Sequence, residues 1–460
     1  MISTSQAADS TVAHPLDPTR HHDVRRVVVV GLGYVGLPSA ICLAKAGYLV
    51  VGADMSERVV AAIRAGTTPL ADAASDEEVR ALVSDGRLSA TTDTAAAVRD
   101  ADVVLVCVPT PVHEDHMPDL GPLESASAAI GRGLQRGTVV SYESTTFPGC
   151  TERVCIPILE HESTLQAGKD FGVAYCPERL NPGDDAHTAE VTPRVLGALD
   201  ARSLDIASSV YESILHAPLH LCPDIKTAEC SKVLENVQRD VNIALVNEFA
   251  AMSRHLGLDA HAVLAAARTK YNFYHAQPGP GVGGHCIPVD PYYLIEEARR
   301  AGFEPRLMAL ARQVNDDATE AVTDVVLSGL TGEVGAKVAV LGLSYKGGVG
   351  DLRESPALRV IERLRRHGVH MGLHDPHVEP LSFARATNGA RGLTIEEATR
   401  GAHVIAILTD HPEFRGIDWP HIATLAKPNA IVVDGRGLID ARDLRALGMR
   451  VWSIGRGHAP

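Results

Sequence analysis

A glycine-rich segment in the middle of the chain carries a cysteine and an aspartate that could do covalent chemistry. The segment reads Pro278-Gly-Pro-Gly-Val-Gly-Gly-His-Cys286-Ile-Pro-Val-Asp290. Consecutive glycines let backbone N–H groups face a ligand, and Cys286 follows them beside a helix start predicted at 288–292. This position predicts a lowered thiol pKa, and Asp290 could orient a water or a lysine. A buried structural cysteine beside a turn accounts for the same residues, so on these residues alone both interpretations stay open.

Lys232 and Asn236 form a second polar group, in a stretch at 224–268 that is rich in Ala, Leu and Val and almost free of Gly and Pro. They are four residues apart and share one face of the predicted helix, which Asp240 and Asn247 continue. A solvated helix face is the usual explanation for such residues. Lysine is scarce in this chain, however, with eight among 43 basic residues, which favours a pocket role for Lys232.

The motif Gly31-Leu-Gly33-Tyr-Val-Gly36 follows a run of four valines and precedes a helical stretch. Gly31 permits a tight turn, Gly33 lets a pyrophosphate approach the backbone, and Gly36 allows close contact between helix and strand. The helix N-terminus adds free N–H groups and a positive dipole end. Asp54 ends the next strand, where its carboxylate can bind both ribose hydroxyls of NAD and repel the 2′-phosphate of NADP. Arg58 could contact the adenosine, although a solvated helix arginine fits its position as well.

The elements that must position these residues follow an α/β pattern at both ends of the chain. Apolar runs that alternate with helical segments predict a doubly wound parallel sheet, with strands at 27–30, 48–53, 103–108 and 138–142. A second, Rossmann-like sheet without a G-x-G-x-x-G is predicted from strands at 337–341, 404–408 and 430–433. A long helix and shorter ones lie between them, with helical character returning at 291–330. The fold class is therefore α/β, with two Rossmann-like domains joined by a central helical domain.

Composition and charge exclude several classes of protein. The chain has 460 residues, which suggests two to four domains at roughly 100–200 residues each. Its 45% hydrophobic content supplies sizeable cores, and its net charge of −14 is unlike that of a nucleic-acid-binding protein. No apolar stretch of about 20 residues predicts a membrane span. The first 23 residues are polar, lack the apolar core of a secretory signal and are interpreted as a mobile tail.

The eight cysteines are scattered along the chain and form no C-x-x-C pair. They therefore predict neither a disulfide framework nor a zinc site, and they fit a reduced cytoplasm. Seven are interpreted as small buried hydrophobes, and only Cys286 as a reactive thiol. A small anionic ligand remains compatible with the acidic chain, because local N–H groups and cations can bind a phosphate.

Seven motifs occur in one order along nearly the whole chain, from Val27 to about Gly455. They are Gly31-x-Gly33-Tyr-Val-Gly36-Leu-Pro38, Val108-Pro-Thr-Pro111, Glu143-Ser-Thr145, Pro177-Glu178-Arg, Lys232 with Asn236, Gly283-Gly-His-Cys286 with Asp290, and Tyr345-Lys346 with Asp351-x-Arg353. In these the sequence resembles the UDP-glucose/GDP-mannose dehydrogenase family. The resemblance implies an NAD-dependent enzyme that oxidises one carbon of a nucleotide sugar twice. It implies NAD, a UDP-sugar and a homodimer or higher homo-oligomer, without a metal, a nucleic acid or a membrane.

The resemblance also implies domains and residue roles. It implies a tail at 1–23, an NAD-binding domain at 24–220, a central dimerisation domain at 221–325 and a UDP-binding domain at 326–460. The implied catalytic residues are Cys286, Lys232, Asn236, Asp290, Glu178 and Thr145. The implied cofactor-binding residues are Gly31, Gly33, Tyr34, Val35, Gly36, Asp54, Arg58, Pro109, Thr110, Thr145 and Arg353. The implied substrate-binding residues are Glu178, Arg179, Leu180, Asn181, Lys232, Asn236, Gly281, Gly283, Tyr345, Lys346 and Arg436.

The implied chemistry explains why a thiol is needed. A first hydride transfer gives an aldehyde, which Cys286 captures as a thiohemiacetal, and a second gives a thioester that water hydrolyses to a uronic acid. The segments at 177–183 and 283–292 resemble the branch of the family that oxidises UDP-N-acetylhexosamines. We expect UDP-N-acetylglucosamine as the substrate, for cell-surface polysaccharide synthesis, with UDP-N-acetylmannosamine and then UDP-glucose as alternatives.

Two segments depart from the family pattern. Many relatives extend an arginine into the partner subunit's site, and here Arg268 and Lys270 are the candidates for that role. Where relatives often have Lys-Pro, this chain has Lys346-Gly-Gly-Val-Gly-Asp351, which predicts a more flexible loop. Two other functions compete: a one-step dehydrogenase in which Cys286 is structural, and a nucleotide-sugar sensor without chemistry.

Overall fold

The computed structural model of the protein describes residues 24–70, 75–113, 117–179, 188, 190–330 and 335–456. The tail predicted at 1–23 lies outside the described residues, as do two of the residues predicted to bind substrate, Leu180 and Asn181. Among the helices of the described part, none combines the length and the apolar character needed to cross a membrane.

The first sheet has eight strands within the described residues. They are β1 Arg26–Val30, β2 Leu49–Ala53, β3 Leu88–Thr91, β4 Val103–Val106, β5 Val139–Tyr142, β6 Gly172–Tyr175, β7 Arg194–Ala198 and β8 Leu219–Leu221. Their order is β3-β2-β1-β4-β5-β6-β7-β8. Neighbouring strands are parallel except β6 and β7, which pair antiparallel with Ala174 opposite Ala198.

Helices cover both faces of this sheet. They are α1 Gly36–Lys45, α2 Glu57–Arg64, α3 Asp76–Ser84, α4 Thr94–Val98, α5 Gly121–Gly133, α6 Ile156–Ser163 and α7 Ala201–Glu212, with a π-helical turn at Thr151–Cys155 before α6. The valines of β1 alternate between the two cores: Val28 and Val30 pack in one, Val27 and Val29 in the other. Burial on both faces explains why the strand is an unbroken apolar run.

Helices alone form the central part. They are α8 Ile225–Leu256, α9 Ala260–Ala267, α10 Asp290–Arg300 and α11 Arg306–Ser328. At the start of α8 the Asp224 side chain accepts the Thr227 N–H at 2.7 Å, and Gly257, left-handed at φ 68°, ends the helix. The 32 residues of α8 span about 48 Å at 1.5 Å per residue, so the helix can reach from the first sheet to the second.

The second sheet comprises five parallel strands within the described residues, in the order β10-β9-β11-β12-β13. The strands are β9 Lys337–Leu341, β10 His370–His374, β11 Val404–Ile407, β12 Ile431–Asp434 and β13 Arg450–Ser453. The helices are α12 Pro356–Arg366, α13 Pro380–Ala386, α14 Ile395–Thr399, α15 Trp419–Leu425 and α16 Ala441–Ala446, and Pro412–Gly416 forms a 3₁₀ turn.

The predicted fold class is confirmed, and every predicted strand is present with ends shifted by up to two residues. The strand expected directly before Cys176 is β6, whereas several other strands were not predicted, namely β3, β7, β8, β10 and β13. Some of these are short or polar: β8 reads Leu-His-Leu and β10 reads His-Met-Gly-Leu-His. The helix predicted at 291–330 is divided into α10 and α11 by a turn at Gly302, whose φ is 84°.

Candidate active site

The glycine turn after β1 has the geometry of a dinucleotide-binding loop. Gly31 is left-handed at φ 90°, and its N–H donates to the Ala53 carbonyl at 2.8 Å. A side chain on Gly36 would collide with the Gly31 carbonyl, so only glycine lets α1 start this close to the strand. Gly33, by contrast, has no neighbour within 4 Å of the place a Cβ would occupy. The turn therefore leaves its backbone open to a ligand above the helix N-terminus.

Asp54 closes the other side of this turn. One carboxylate oxygen accepts the Leu32 N–H at 2.8 Å, and the other accepts the Ser56 N–H at 2.8 Å. The carboxylate is half-buried and lies directly beside the open turn. Its two oxygens could accept hydrogen bonds from the two hydroxyls of a ribose. Arg58 lies on the first turn of α2 and is exposed.

Two further turns border the same edge of the sheet. Pro109 is exposed and Thr110 is buried after β4, and the Tyr293 hydroxyl of α10 donates to the Thr110 carbonyl at 2.6 Å. Ser144, after β5, donates to the Val108 carbonyl at 2.7 Å, and the next residue, Thr145, is half-buried. Tyr293 was not singled out in the sequence, yet it ties this cofactor-lining turn to the helix that begins at the candidate site.

A cation–π contact joins the first and last parts of the chain. The Arg353 guanidinium lies 5.3 Å from the centre of the Tyr34 ring, and Tyr34 exposes 52% of its surface. Arg353 is held by a bidentate ion pair with Asp351, and its carbonyl accepts the Gly284 N–H at 2.9 Å. Val35, the residue before α1, is half-buried next to Tyr34. The glycine turn, the 353 segment and the cysteine loop therefore meet at one place.

Four of the predicted catalytic residues come together where α8 meets the start of α10. Lys232, Asn236 and Asp290 expose 8%, 5% and 3% of their surface, so all three are buried polar groups. The Asn236 amide donates to the Asp290 carboxylate at 2.6 Å. Asp290 is the first residue of α10, and its N–H donates to the Cys286 carbonyl at 2.8 Å. The predicted helix face and the predicted loop thus form one cluster.

The charges around Cys286 correct one prediction. The pKa of its thiol is raised to about 11, chiefly by burial and then by the Asp290 carboxylate. The cations of Lys232, Arg353 and Arg239 lower it, but by less. The predicted lowering of the thiol pKa is therefore wrong, because burial outweighs the effect of the nearby helix start. Arg239 lies on the Lys232 face of α8, a spacing that could have revealed it in the sequence.

The pKa of Asp290 is raised as well. Burial raises its pKa to about 6, while Lys232 and the hydrogen bond from Asn236 lower it. A carboxylate with this pKa is ionised at neutral pH but accepts a proton readily, which is what a general base requires. The cluster therefore places a thiol, a cation, an amide donor and a base together in one pocket.

Glu178 belongs to a different buried group. It is 7% exposed and lies near Glu143 and Arg194, at the carboxyl edge of the first sheet. Arg194, 1% exposed, is 3.5 Å from the Glu143 carboxylate, which also accepts a hydrogen bond from Tyr211 at 3.1 Å. Burial raises the pKa of Glu143, and Arg194 lowers it. Nothing in the sequence pattern pointed to Arg194, because it starts β7, the antiparallel strand that the sequence did not predict.

The guanidinium of Arg179, a predicted substrate-binding residue, has partners within the protein. It pairs with Glu235 of α8 and donates to the Pro193 carbonyl at 3.0 Å. It therefore ties the segment after Glu178 to the helix that carries Lys232 and Asn236.

The glycines before Cys286 are packed against the last domain. A Cβ on Gly283 would lie 2.7 Å from the Tyr345 Cβ, and Gly281 is left-handed at φ 124°. Arg436 lies against Gly279, since a Cβ there would be 2.5 Å from its guanidinium, and it pairs with Asp410 at 2.7 Å. The loop therefore packs against two predicted substrate residues, Tyr345 and Arg436, and Lys346 follows Tyr345 in the chain.

The loop at 346–350 is more constrained than predicted. The Gly347 N–H donates to Asp410 at 3.1 Å, and the Gly348 N–H donates to His411 Nδ1 at 3.1 Å. Side chains at Gly347 and Gly350 would collide with the carbonyls of Asp410 and His377. The glycines therefore serve close packing, and the expectation of a flexible loop is wrong.

His377, His411 and Glu413 have ligand atoms within 4.8 Å of one another, the spacing of a metal site. Hydrogen bonds already use both ring nitrogens of His411. Because the Gly348 N–H points at Nδ1 of His411, Nε2 carries the proton and donates to Asp375 at 3.1 Å, while His377 pairs with Glu413 at 3.0 Å. Binding a metal through Nε2 would place a proton on Nδ1, facing the Gly348 N–H. The cluster therefore serves to hold the loop.

The two candidates for a residue that reaches a partner subunit behave differently. The Arg268 guanidinium donates to the Ala276 carbonyl of its own chain at 2.6 Å, which closes the segment 269–275 into a loop. Lys270 is exposed within that segment.

Three family models match the chain in order. The NAD binding domain of the UDP-glucose/GDP-mannose dehydrogenase family matches residues 25–215, its central domain matches 226–317, and its UDP binding domain matches 339–441.

Individual proteins match over nearly their whole length. UDP-N-acetyl-D-glucosamine 6-dehydrogenase of Pseudomonas aeruginosa is 37% identical over 423 residues, which cover 90% of this chain and 97% of that protein. UDP-N-acetyl-D-mannosamine dehydrogenase of Pyrococcus horikoshii is 35% identical over 436 residues, covering 94% and 99%. The solved structure of a UDP-D-ManNAc dehydrogenase from Pyrococcus horikoshii has a TM-score of 0.85 at 34% identity, covering 94% of this chain and 99% of that one.

Proposed function

Because this chain belongs to the UDP-glucose/GDP-mannose dehydrogenase family, an NAD-dependent dehydrogenase family, we propose that it oxidises C6 of UDP-N-acetylglucosamine to the uronic acid in two steps. The observation that carries the proposal is the cluster of the half-buried Cys286 with the buried side chains of Lys232, Asn236 and Asp290. A one-step alcohol dehydrogenase has no use for a thiol beside a general base, whereas a thiol can hold an aldehyde covalently for a second oxidation.

The cofactor is held by the first sheet. NAD, when bound, accepts a hydride in each of the two oxidations. The open turn at Gly33 suits its pyrophosphate and Asp54 suits its adenosine ribose, with Tyr34, Val35, Pro109, Thr110 and Thr145 lining the remainder. Arg353 closes the site from the last domain through its contact with Tyr34.

Covalent capture of the aldehyde takes place at Cys286. As the sulfur bonds to C6, the thiol proton passes to Asp290, and Asp290 then delivers this proton to the former carbonyl oxygen, which gives a thiohemiacetal and leaves the carboxylate ionised again. The raised pKa of the thiol, about 11, means that its proton leaves as the bond forms, and the carboxylate with a pKa of about 6 is the acceptor. The Lys232 ammonium stabilises the developing oxyanion.

Release of the acid completes the cycle. After the second hydride has left, a water attacks the thioester carbon, the C–S bond breaks, and the sulfur takes back a proton. Asp290 is placed to accept the proton of that water, with Asn236 holding its carboxylate at 2.6 Å. Glu178 and Thr145 lie on the neighbouring turns of the NAD-binding sheet and are proposed to order the water.

The choice of sugar rests on motifs and on similarity. The Pseudomonas aeruginosa relative is a UDP-N-acetyl-D-glucosamine 6-dehydrogenase. The segment at 177–183 and the Gly-Gly-His-Cys286 sequence resemble the branch of the family that oxidises UDP-N-acetylhexosamines. The mannosamine enzyme of Pyrococcus horikoshii is almost as similar, at 35% identity, which makes UDP-N-acetylmannosamine the second candidate.

A panel of UDP-sugars with NAD tests this function. We expect NADH absorbance with UDP-N-acetylglucosamine, at two NADH per sugar, and little with UDP-N-acetylmannosamine or UDP-glucose. C286S should abolish uronate formation, whereas C230S, a matched change at a half-buried cysteine on α8, should leave it intact.

The same panel separates the alternatives. A preference for the mannosamine epimer or for UDP-glucose would change the assigned substrate and leave the proposed mechanism unchanged. One NADH per sugar would make the protein a one-step dehydrogenase, and binding of UDP-sugars without NADH would make it a sensor.

We also propose a cytoplasmic homodimer formed through α8. Leu234, Leu245, Met252 and Leu256 each expose between 46% and 60% of their surface, and their spacings place them on one face of the helix. All eight cysteines, each within the described residues, are free thiols, which fits a reducing compartment. Light scattering on the purified protein measures the assembly, and a monomer would refute the pairing.

A further inference from the structure

The backbone of the glycine-rich loop that precedes Cys286 is held by side chains of neighbouring helices. The Gly279 N–H donates to the Asn247 side-chain oxygen at 2.9 Å. The Pro280 carbonyl accepts a hydrogen bond from Thr319 at 2.7 Å, and the Val282 carbonyl accepts one from Arg359 at 3.0 Å. The backbone of the loop is thus anchored at three points by side chains.

The contact of Asn247 is the end of a buried chain of hydrogen bonds. Its amide nitrogen donates to the Asn315 oxygen at 2.9 Å, and the Asn315 nitrogen donates to the Asp240 carboxylate at 2.8 Å. The Arg312 guanidinium then donates to that carboxylate at 2.6 Å. Asn247, Asn315, Asp240 and Arg312 expose between 0% and 5% of their surface.

The charges fix the direction of every link. A carboxylate only accepts, so Asp240 requires the nitrogen of Asn315, which leaves the Asn315 oxygen to face Asn247. Asn247 must then turn its own nitrogen to Asn315 and its oxygen to the loop. A different amide orientation would set two donors or two acceptors against each other, at a cost the buried site cannot relieve with water.

A second arm leaves the same arginine. Arg312 also donates to Asp316 at 3.0 Å, Asp316 accepts from Arg359 at 2.8 Å, and Arg359 donates to the Val282 carbonyl. One arm therefore holds an N–H of the loop and the other holds a carbonyl three residues further on. The segment that the two arms hold packs against Arg436 at Gly279, and the next residue after it, Gly283, packs against Tyr345.

We infer that Asn247 is a positioning residue for the nucleotide half of the substrate, oriented by Asn315 and Asp240. Its hydrogen bond sets the backbone of the loop at 279–283 against Arg436, so that the loop is preorganised for the UDP group. This role rests on the proposed function in that the loop is taken as the border of the nucleotide. Asn247 touches neither Cys286 nor Asp290 in any hydrogen bond of the described structure, so it acts on binding rather than on chemistry.

The test compares UDP binding with turnover. By calorimetry with UDP alone, N247A should raise the Kd about tenfold and N315A about threefold, since each weakens one hydrogen bond to the loop. The KM for UDP-sugar should rise in parallel, while kcat and the KM for NAD stay within about twofold of the values of the unsubstituted protein. N242A, the same substitution on the same helix at a residue bonded only to its own helix carbonyl, is the control.

The double variant supplies the decisive measurement. If Asn315 acts through Asn247, N247A/N315A should bind UDP as weakly as N247A alone, whereas independent packing effects would multiply. Equal losses in UDP affinity, NAD affinity and kcat, or multiplicative losses in the double variant, would overturn the inference. Because UDP binding is measured without turnover, the role of Asn247 is tested independently of the choice of sugar and of the cysteine mechanism.

Discussion

The two Rossmann-like sheets begin with nearly the same turn and use it for opposite purposes. Gly31 after β1 is at φ 90° and donates to Ala53 at 2.8 Å, while Gly342 after β9 is at φ 89° and donates to His374 at 2.8 Å. In both, the next residue donates its N–H to an aspartate at the end of the neighbouring strand. The distances are 2.8 Å to Asp54 and 2.7 Å to Asp375.

The segment after the turn differs between the two sheets. In the first sheet, Gly36 starts α1 at once, leaving Gly33 open and the Asp54 carboxylate half-exposed. In the second, α12 starts only at Pro356, and the intervening segment runs out to the active site with Lys346 and Arg353. The same strand–turn–aspartate frame therefore holds the protein's own loop in the second domain, whereas in the first it leaves the turn open for the proposed NAD.

The aspartate of the second sheet, Asp375, accepts several hydrogen bonds from the protein itself. Asp375 has a side chain with 0% exposure and accepts hydrogen bonds from Leu343, Ser344, His377 and His411. Although burial opposes its charge, His411 and these N–H groups hold its pKa well below the usual range. Asp290 is equally buried but has one donor, Asn236, and its pKa is raised. Because both aspartates are buried, the opposite shifts of their pKa values follow the number of donors that each accepts from.

Removing Asp375 should have the largest effect. D375A leaves at least four buried donors unpaired, so we expect the free energy of unfolding to fall by about 3–5 kcal/mol. Urea denaturation at neutral pH measures it. Because the folded-state pKa is depressed, the Asp375 contribution is complete above about pH 4 and is lost as the pH falls through the folded pKa. If the free energy of unfolding fell by no more in D375A than in the matched variant D54A, the contrast between the two turns would be contradicted.

Asp54 should matter for the cofactor and not for stability. D54A removes the ribose acceptor, so we expect the KM for NAD to rise about 10–100-fold, with weaker discrimination against NADP. The free energy of unfolding should fall by about 1–2 kcal/mol. Steady-state kinetics with both cofactors provides the measurement, and an unchanged NAD/NADP preference would show that the turn does not hold the ribose.

The comparison of Asp290 with Asp375 leads to a pH prediction. Protonated Asp290 cannot accept a proton, so kcat/KM should fall below about pH 6. The Asn236 hydrogen bond lowers the Asp290 pKa, and N236A should therefore move this acid limb upward, by roughly one pH unit. Initial rates from pH 5 to 9 measure the shift, with N242A as the control on the same helix. A limb that stayed in place or moved down would exclude Asp290 as the base.

Arg58 should show the smallest effect. It is exposed at the start of α2, so any contact with the adenosine is screened, and R58A should raise the KM for NAD by about two- to fivefold. The effect should disappear at high salt, which separates it from the salt-resistant loss expected at Asp54. A change of tenfold or more would mean that the side chain is buried in the cofactor complex.

Sequence patterns with a fixed local geometry predicted the molecule well. The glycine spacing at 31–36 determines a turn, the apolar runs determine buried strands, and the four-residue spacing of Lys232 and Asn236 determines a shared helix face. Each depends on residues within one or two turns of chain. The placement of Cys286 beside that face followed from motif order and a family resemblance, and the fold places it there.

Only the tertiary structure decided the properties that depend on packing between distant segments. Burial and Asp290 raise the thiol pKa where a helix start alone predicted the reverse. Neighbouring carbonyls confine Gly347 and Gly350, although glycines in sequence suggest a flexible loop. Asn247 and Asn315, 68 positions apart, join in one directional chain. Local sequence determines which groups a segment offers, but desolvation and hydrogen-bond partners come from segments far away along the chain, and these set charge, rigidity and direction.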